Sequence, residues 1–296
     1  MSDKHSPTQP SAGLPDCSHL LLSRMGPALV VTFNRPEVRN ALSLATVEEL
    51  LSVFDAASVN PKIRAIVLRG AGGHFCAGGD IKDMANIRAA AAKAQKEEGK
   101  EQGEDPFFSF NRSFGRLLEA AEQLPQAVIC VLEGTVMGGG FGLACISDLA
   151  LAHKDARFAL PETSLGITPA QIAPFVVKRI GLTQARRLAL FGNKLSGEQA
   201  TELGIAHEAF ETTEELDQAL QDALGRLVRC APGANATTKA LMLSVGEKPM
   251  HELLDGAARG FSAAIQGPEG QEGTMAFVQK RLPAWADFEN NQEEEK

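Results

Sequence analysis

The 296-residue sequence contains no run of about twenty apolar residues, so no segment of it would cross a bilayer as a helix. Its first residues, MSDKHSPTQPSAGLPD, lack the apolar core of a secretory signal. The five cysteines, at 17, 76, 130, 145 and 230, are odd in number and include no CxxC pair, which argues against a disulfide framework and for reduced thiols. A cytoplasmic protein is the expectation. The six histidines, at 5, 19, 74, 153, 207 and 251, show no metal-ligand spacing, and no metal or other cofactor is expected. The glycine runs lack the acidic ribose partner of a dinucleotide fingerprint. Basic residues are outnumbered, 29 against 37 acidic, and the net charge of −8 disfavours a nucleic-acid backbone or an anionic membrane as partner.

What is present is an ordinary globular composition, 44% hydrophobic and 22% charged, long enough to bury a sizeable core. Residues 1–17 read as a disordered tail rich in Ser and Pro. Leu29–Phe33 reads as the first strand, Leu44 to Ala57 as an amphipathic helix with Ser43 as its N-cap, and Ile63–Leu68 as a second strand. The loop from Gly70 to Asp80 leads into a short helix over 81–87. Residues 88–106, rich in Ala, Lys, Glu and Gln, favour helix but have no apolar stripe, and read as a flexible insert: a mobile flap or fraying helix beside the site, or a plain solvated spacer. Phe107, Phe110, Phe114, Leu117, Leu118, Ala121 and Leu124 then mark a strong amphipathic helix.

Alternation of strand and helix predicts α/β layering around a parallel sheet. The expected division is an α/β core over 18–210, a helical region over 211–285 and an acidic tail over 286–296. Two capping-box spacings, Ser196 with Gln199 and Thr212 with Glu215, open helices in the second half.

Two strand–glycine loop–helix units stand out. In the second, Ala127–Leu132 runs into Gly138, Gly139 and Gly140, and a hairpin-like stretch follows that delivers Pro161 and Glu162. Consecutive glycines leave bare N–H groups at a helix mouth, and a nearby carboxylate is what joint anion stabilisation and proton transfer require. A tight packing turn with an exposed glutamate fits the same stretch.

Taken together and in order, NRPEVRNALS, FCAGGDIKDM, EGTVMGGGFGLACISDLALA, FALPETSLGITP and AFVQKR resemble the crotonase superfamily of enoyl-CoA hydratases and isomerases. Within it, GITPAQIAPFVVKRIGLTQARRLAL resembles the isohexenylglutaconyl-CoA hydratase branch of acyclic-terpene degradation, with methylglutaconyl-CoA hydratases as near neighbours. The resemblance implies a spiral of ββα repeats with a C-terminal helical region, assembled as trimers or dimers of trimers, and an acyl-CoA thioester as substrate. It places the oxyanion-hole amides at Gly79 and Gly139, among Ala77, Gly78, Asp80 and Gly138, and the acid–base group at Glu162. Phe277 and Lys280, with Arg281, match an element that meets the CoA of a neighbouring subunit, and Arg39 is placed along the CoA path.

One departure matters. Typical hydratases of the superfamily carry a further glutamate in the helix after the glycines, where this chain has Gly142. Single-glutamate members include isomerases, so hydration and double-bond migration both stay open, as does a non-catalytic binding module, for instance for RNA. Gln171, Thr168 and His74 are candidates to orient water, and Gln171 alternatively to bind a second carboxylate of a branched substrate. Asp80 and Asp148 read first as structural, Asp80 as an N-cap.

Overall fold

The computed structural model describes residues 13–94 and 105–286, with the side chains of 90–94 left aside. Within the expected insert, residues 95–104 lie outside that range, as do the tails 1–12 and 287–296.

The chain opens with β1 (Leu20–Met25) and β2 (Ala28–Phe33), then α1 (Leu44–Ser58) and β3 (Ala65–Gly70). It continues with α2 (Ile81–Ala94), α3 (Pro106–Gln123), β4 (Ala127–Leu132), β5 (Thr135–Met137) and α4 (Gly139–Ile146). There follow β6 (Leu149–His153), β7 (Arg157–Ala159), α5 (Ala173–Phe191), α6 (Gly197–Glu202) and β8 (Glu208–Phe210). The last helices are α7 (Thr213–Leu227), α8 (Pro232–Leu243), α9 (Met250–Gln266) and α10 (Pro268–Val278).

One sheet runs in the order β1-β2-β3-β4-β6-β8; β1 pairs antiparallel with β2 and every other neighbour is parallel. A second, parallel pair, β5 with β7, stands apart from it. The parallel strands read as near-continuous apolar runs because both faces are covered. One face, with Leu29, Val31, Ile66, Leu68, Val128 and Cys130, packs with α1, α3 and α4. The other, with Val30, Val67, Ile129 and Val131, receives Leu216, Leu220 and Leu224 of α7. An expected boundary at residue 210 therefore does not part α7 from the core.

Local chemistry explains most element ends. Ser43 accepts the Thr46 amide at 3.1 Å, Ser196 and Gln199 form a complete capping box, and Thr212 accepts the Glu215 amide. Three expectations shift. A strand, β1, precedes the one expected first, and α2 continues to Ala94 into the stretch expected to be a flexible insert. The helix expected over Thr183–Phe191 starts ten residues earlier at Ala173, with a break at Gly181 (φ 74°). Cys76, Cys130 and Cys145 are buried free thiols, and burial pushes each to about 12. No helix of the described residues is long and apolar enough to cross a membrane.

Candidate active site

The two glycine loops meet edge to edge. Residues 76–80 run as an extra strand between two neighbours: the Leu42 amide donates to Gly78 O at 2.7 Å and the Asp80 amide to Leu42 O at 2.9 Å. On the other side the Cys76 amide donates to Thr135 O and the Met137 amide to Cys76 O. Where the loops touch, only glycine fits: Gly138 has φ 50° and ψ −118°, and an ideal Cβ on it would lie 3.2 Å from Gly78 Cα and 2.9 Å from Glu162 Oε1. Gly78, with φ 97°, is equally tied to glycine. Beneath them, Cys76 Sγ accepts the Gly78 amide at 3.3 Å and a hydrogen bond from the Gly140 amide.

This register leaves the next residue on each loop facing a pocket. Gly79 and Gly139 both line it, and neither amide donates to a backbone carbonyl among the described residues. Gly139 is the first residue of α4, whose opening N–H groups have no partner within the helix. An ideal Cβ on Gly79 or on Gly139 would lie 3.9 or 4.0 Å from the Phe114 ring, so that ring spans both glycines.

Glu162 enters from the turn after β7, where Glu162–Leu165 forms a single 3₁₀ turn closed by Gly166. It is the sole ionisable side chain lining the pocket among the described residues. Its Oε2 is buried with no hydrogen-bond partner among the described residues, and burial raises its pKa, with its own backbone amide working the other way. The remaining walls are apolar, from Leu42, Met84, Phe110, Leu117, Ile167 and Ile172, with Asn111, Thr168 and Gln171 as polar exceptions.

The position of the missing glutamate is filled. An ideal Cβ on Gly142 would press on Leu118 Cδ1 at 3.1 Å, Leu118 Cδ2 at 3.3 Å and Ile172 Cγ2 at 3.4 Å. No second carboxylate takes its place in the lining among the described residues. Two amides, an apolar wall and one carboxylate of raised pKa can hold a carbonyl oxygen, stabilise negative charge on it and move a proton beside it.

Residues 26–290 match the family model described as enoyl-CoA hydratase/isomerase. The chain belongs to the enoyl-CoA hydratase/isomerase family. It is 55% identical to an enoyl-CoA hydratase/isomerase from Marinobacter aquaeolei, covering 92% of this chain and 100% of that one at a TM-score of 0.86. To AtuE of Pseudomonas aeruginosa it is 54% identical, with 91% and 100% covered and a TM-score of 0.85. A curated relative, the mevalonyl-coenzyme A hydratase SIDH of Beauveria bassiana, is 32% identical over 88% of this chain and 91% of its own length. The α/β fold expected from the sequence motifs is the fold of this family, and the protein is an enzyme of the enoyl-CoA hydratase type, with isomerase as the alternative.

Among the residues singled out from the sequence, Gly79, Gly139, Glu162, Thr168 and Gln171 converge on the pocket of this hydratase/isomerase fold. Gly78, Gly138 and Ala77 support it from the loops; the Ala77 amide donates to Arg39 O at 3.0 Å. Other candidates stand elsewhere. Asp80 is buried, pairs with Arg35 at 2.7 Å and accepts the Lys82 amide at the start of α2. Burial works against its ionisation, but Arg35 and the Lys82 amide outweigh it and hold the carboxyl below its ordinary value. His74 accepts the Thr135 amide through Nδ1 at 3.2 Å and is not in the lining among the described residues. Asp148 accepts the Val128 amide and pairs with Lys239. Arg39, Phe277 and Lys280 are exposed and outside the lining, and Arg281 is tied to Glu272. Sequence reasoning missed Met84, Asn111, Phe114 and Leu118 as pocket residues. The one available signal was Asn111, a polar residue on the apolar stripe of α3.

Proposed function

We propose that the protein adds water across the 2,3 double bond of a branched, glutaconyl-type acyl-CoA such as isohexenylglutaconyl-CoA. The observation that carries this is the convergence of Gly79, Gly139 and one half-buried carboxylate, Glu162, in a single apolar pocket. In the proposed reaction the thioester oxygen sits between the Gly79 and Gly139 amides. Glu162 takes a proton from water, the resulting hydroxide bonds to C3, and the electron pair of the double bond moves onto the thioester as an enolate. The Glu162 acid then returns a proton to C2. Each amide aimed at the developing charge contributes about 3 kcal/mol to the barrier lowering. The branched-substrate assignment is supported by the resemblance of residues 166–190 to that hydratase branch. The protein acts, on this reading, as a homotrimer or a dimer of trimers, with Arg39, Phe277 and Lys280 placed toward the CoA moiety.

A second reading, enoyl-CoA isomerase, is favoured by one observation: Leu118 and Ile172 occupy the place of a second glutamate. One carboxylate suffices to carry a proton between two carbons of the same chain. The two readings part on a matched substrate pair. Purified protein should hydrate a branched glutaconyl-type 2-enoyl-CoA and lose that activity as Glu162→Gln. Double-bond migration in an unbranched 3-enoyl-CoA, with hydration of neither substrate, would replace the first reading with the second.

A further inference from the structure

Helix α3 carries one polar residue into the pocket. Asn111, Phe114 and Leu118 share a helical face, and the Phe114 ring lies across both oxyanion glycines while Leu118 closes the space beside Gly142. Asn111 is therefore displaced by about 4.5 Å along the helix from the residue that covers the reacting carbonyl. An amide set to one side of the carbonyl in this way can meet a substituent that branches from the acyl chain.

The polarity of the amide is set from behind. The Gln171 Nε2 group donates to Asn111 Oδ1 at 3.0 Å. Gln171 lies flat on α3 because residue 115 is glycine: a Cβ there would overlap Gln171 Oε1 and crowd Arg112 Nη1. The Gln171 oxygen and Arg112 Nη1 both border the space that a Cβ on residue 115 would take, and because Arg112 offers donors only, that side favours the Gln171 oxygen while the nitrogen is turned to Asn111. Arg112 Nη2 is held by Glu119, while its Nη1 is buried without a hydrogen-bond partner among the described residues. With Oδ1 taken up by Gln171, Nδ2 is the part of the Asn111 amide left for a ligand; Asn111 lines the pocket, where Glu162 is the sole charge among the described residues.

We infer that Asn111 Nδ2 binds the free carboxylate of the acyl group, with Gln171 and Arg112 as positioning residues that keep the donor facing inward. This assigns to Asn111 the role that the sequence alone offers to Gln171, one of whose donor hydrogens is already spent on Asn111. It rests on the branched dicarboxylic reading given above. Chemically, a carboxylate entering a pocket that already holds Glu162 needs a donor on the side away from it, and the neighbouring guanidinium orients that donor.

The test compares kcat/KM for a branched glutaconyl-type 2-enoyl-CoA with that for an analogue bearing a methyl group in place of the free carboxylate. In Asn111→Asp and Asn111→Leu, the ratio of the two should fall about 10- to 100-fold, the range expected when a hydrogen bond to a charged group is lost. The loss should sit mainly in KM, and the melting temperature shows that both variants fold. Arg112→Met should lower the ratio less, through KM alone. A wild-type ratio near one would overturn the substrate reading and this inference with it. A wild-type preference that persists within threefold in both Asn111 variants would overturn the inference alone.

Discussion

At the scale of single residues, the pocket is defined by Glu162, whose Oε2 is buried with no hydrogen-bond partner among the described residues. Burial raises the Glu162 pKa above its ordinary value of 4.5. Between the unfolded and folded pKa values the native state binds the extra proton, so this group's contribution to stability is present below the unfolded value and lost as pH rises through the folded one. Glu162→Gln, which cannot ionise, should accordingly melt above the wild type at about pH 7, and the gap should close toward about pH 4. Calorimetry across that range checks the sign. In the active protein the same shift should move the acid limb of kcat/KM above the usual glutamate range. A second residue-scale prediction concerns Gly142. Its replacement by Ala should destabilise by about 1–2 kcal/mol, overpacking against Leu118 and Ile172 outweighing the better helix propensity of Ala. Leu118→Ala should rescue Gly142→Glu in urea unfolding, with a coupling of about 1 kcal/mol or more; strictly additive effects would contradict the packing described.

At the scale of elements, the pocket depends on the 76–80 segment keeping its register beside residue 42. Arg35 fastens that segment, bonding Ala41 O at 2.6 Å and Asp80 at 2.7 Å. Arg35→Met should leave a buried carboxylate unpaired and cost roughly 3 kcal/mol in chemical denaturation. The parts of the site made of glycine and its capped neighbours were legible in the sequence, because a positive φ or a bare amide leaves few residue choices. Ser43 and Ser196 were legible for the same reason, since a cap is local chemistry. Strand β8 was not, with only three residues and half-exposed side chains, and β1 was hidden by its edge position and the polar Ser23 and Arg24. Nor, apart from the polar Asn111 on the apolar stripe, were the α3 residues Phe114 and Leu118 readable as site residues. Helical periodicity reports which side of α3 faces inward, but not whether that side meets core or cavity.

At the scale of the whole molecule, large apolar side chains stay exposed on the later helices. Phe191, Phe261, Phe277 and Val278 are 70% to 85% accessible in the single chain. Such residues are commonly covered by association. Light scattering on the purified protein should give three or six times the 31.5 kDa protomer mass; a monomer at micromolar concentration would contradict that expectation. On the reading proposed above, one glutamate and two amides suffice to add water to a thioester-conjugated double bond. The most direct measurement of that addition is mass spectrometry of the acyl-CoA product formed from the branched 2-enoyl substrate in heavy-oxygen water. A product heavier by one labelled water, formed by the wild type and absent with Glu162→Gln, is the predicted result. A product of unchanged mass with its double bond moved would contradict it.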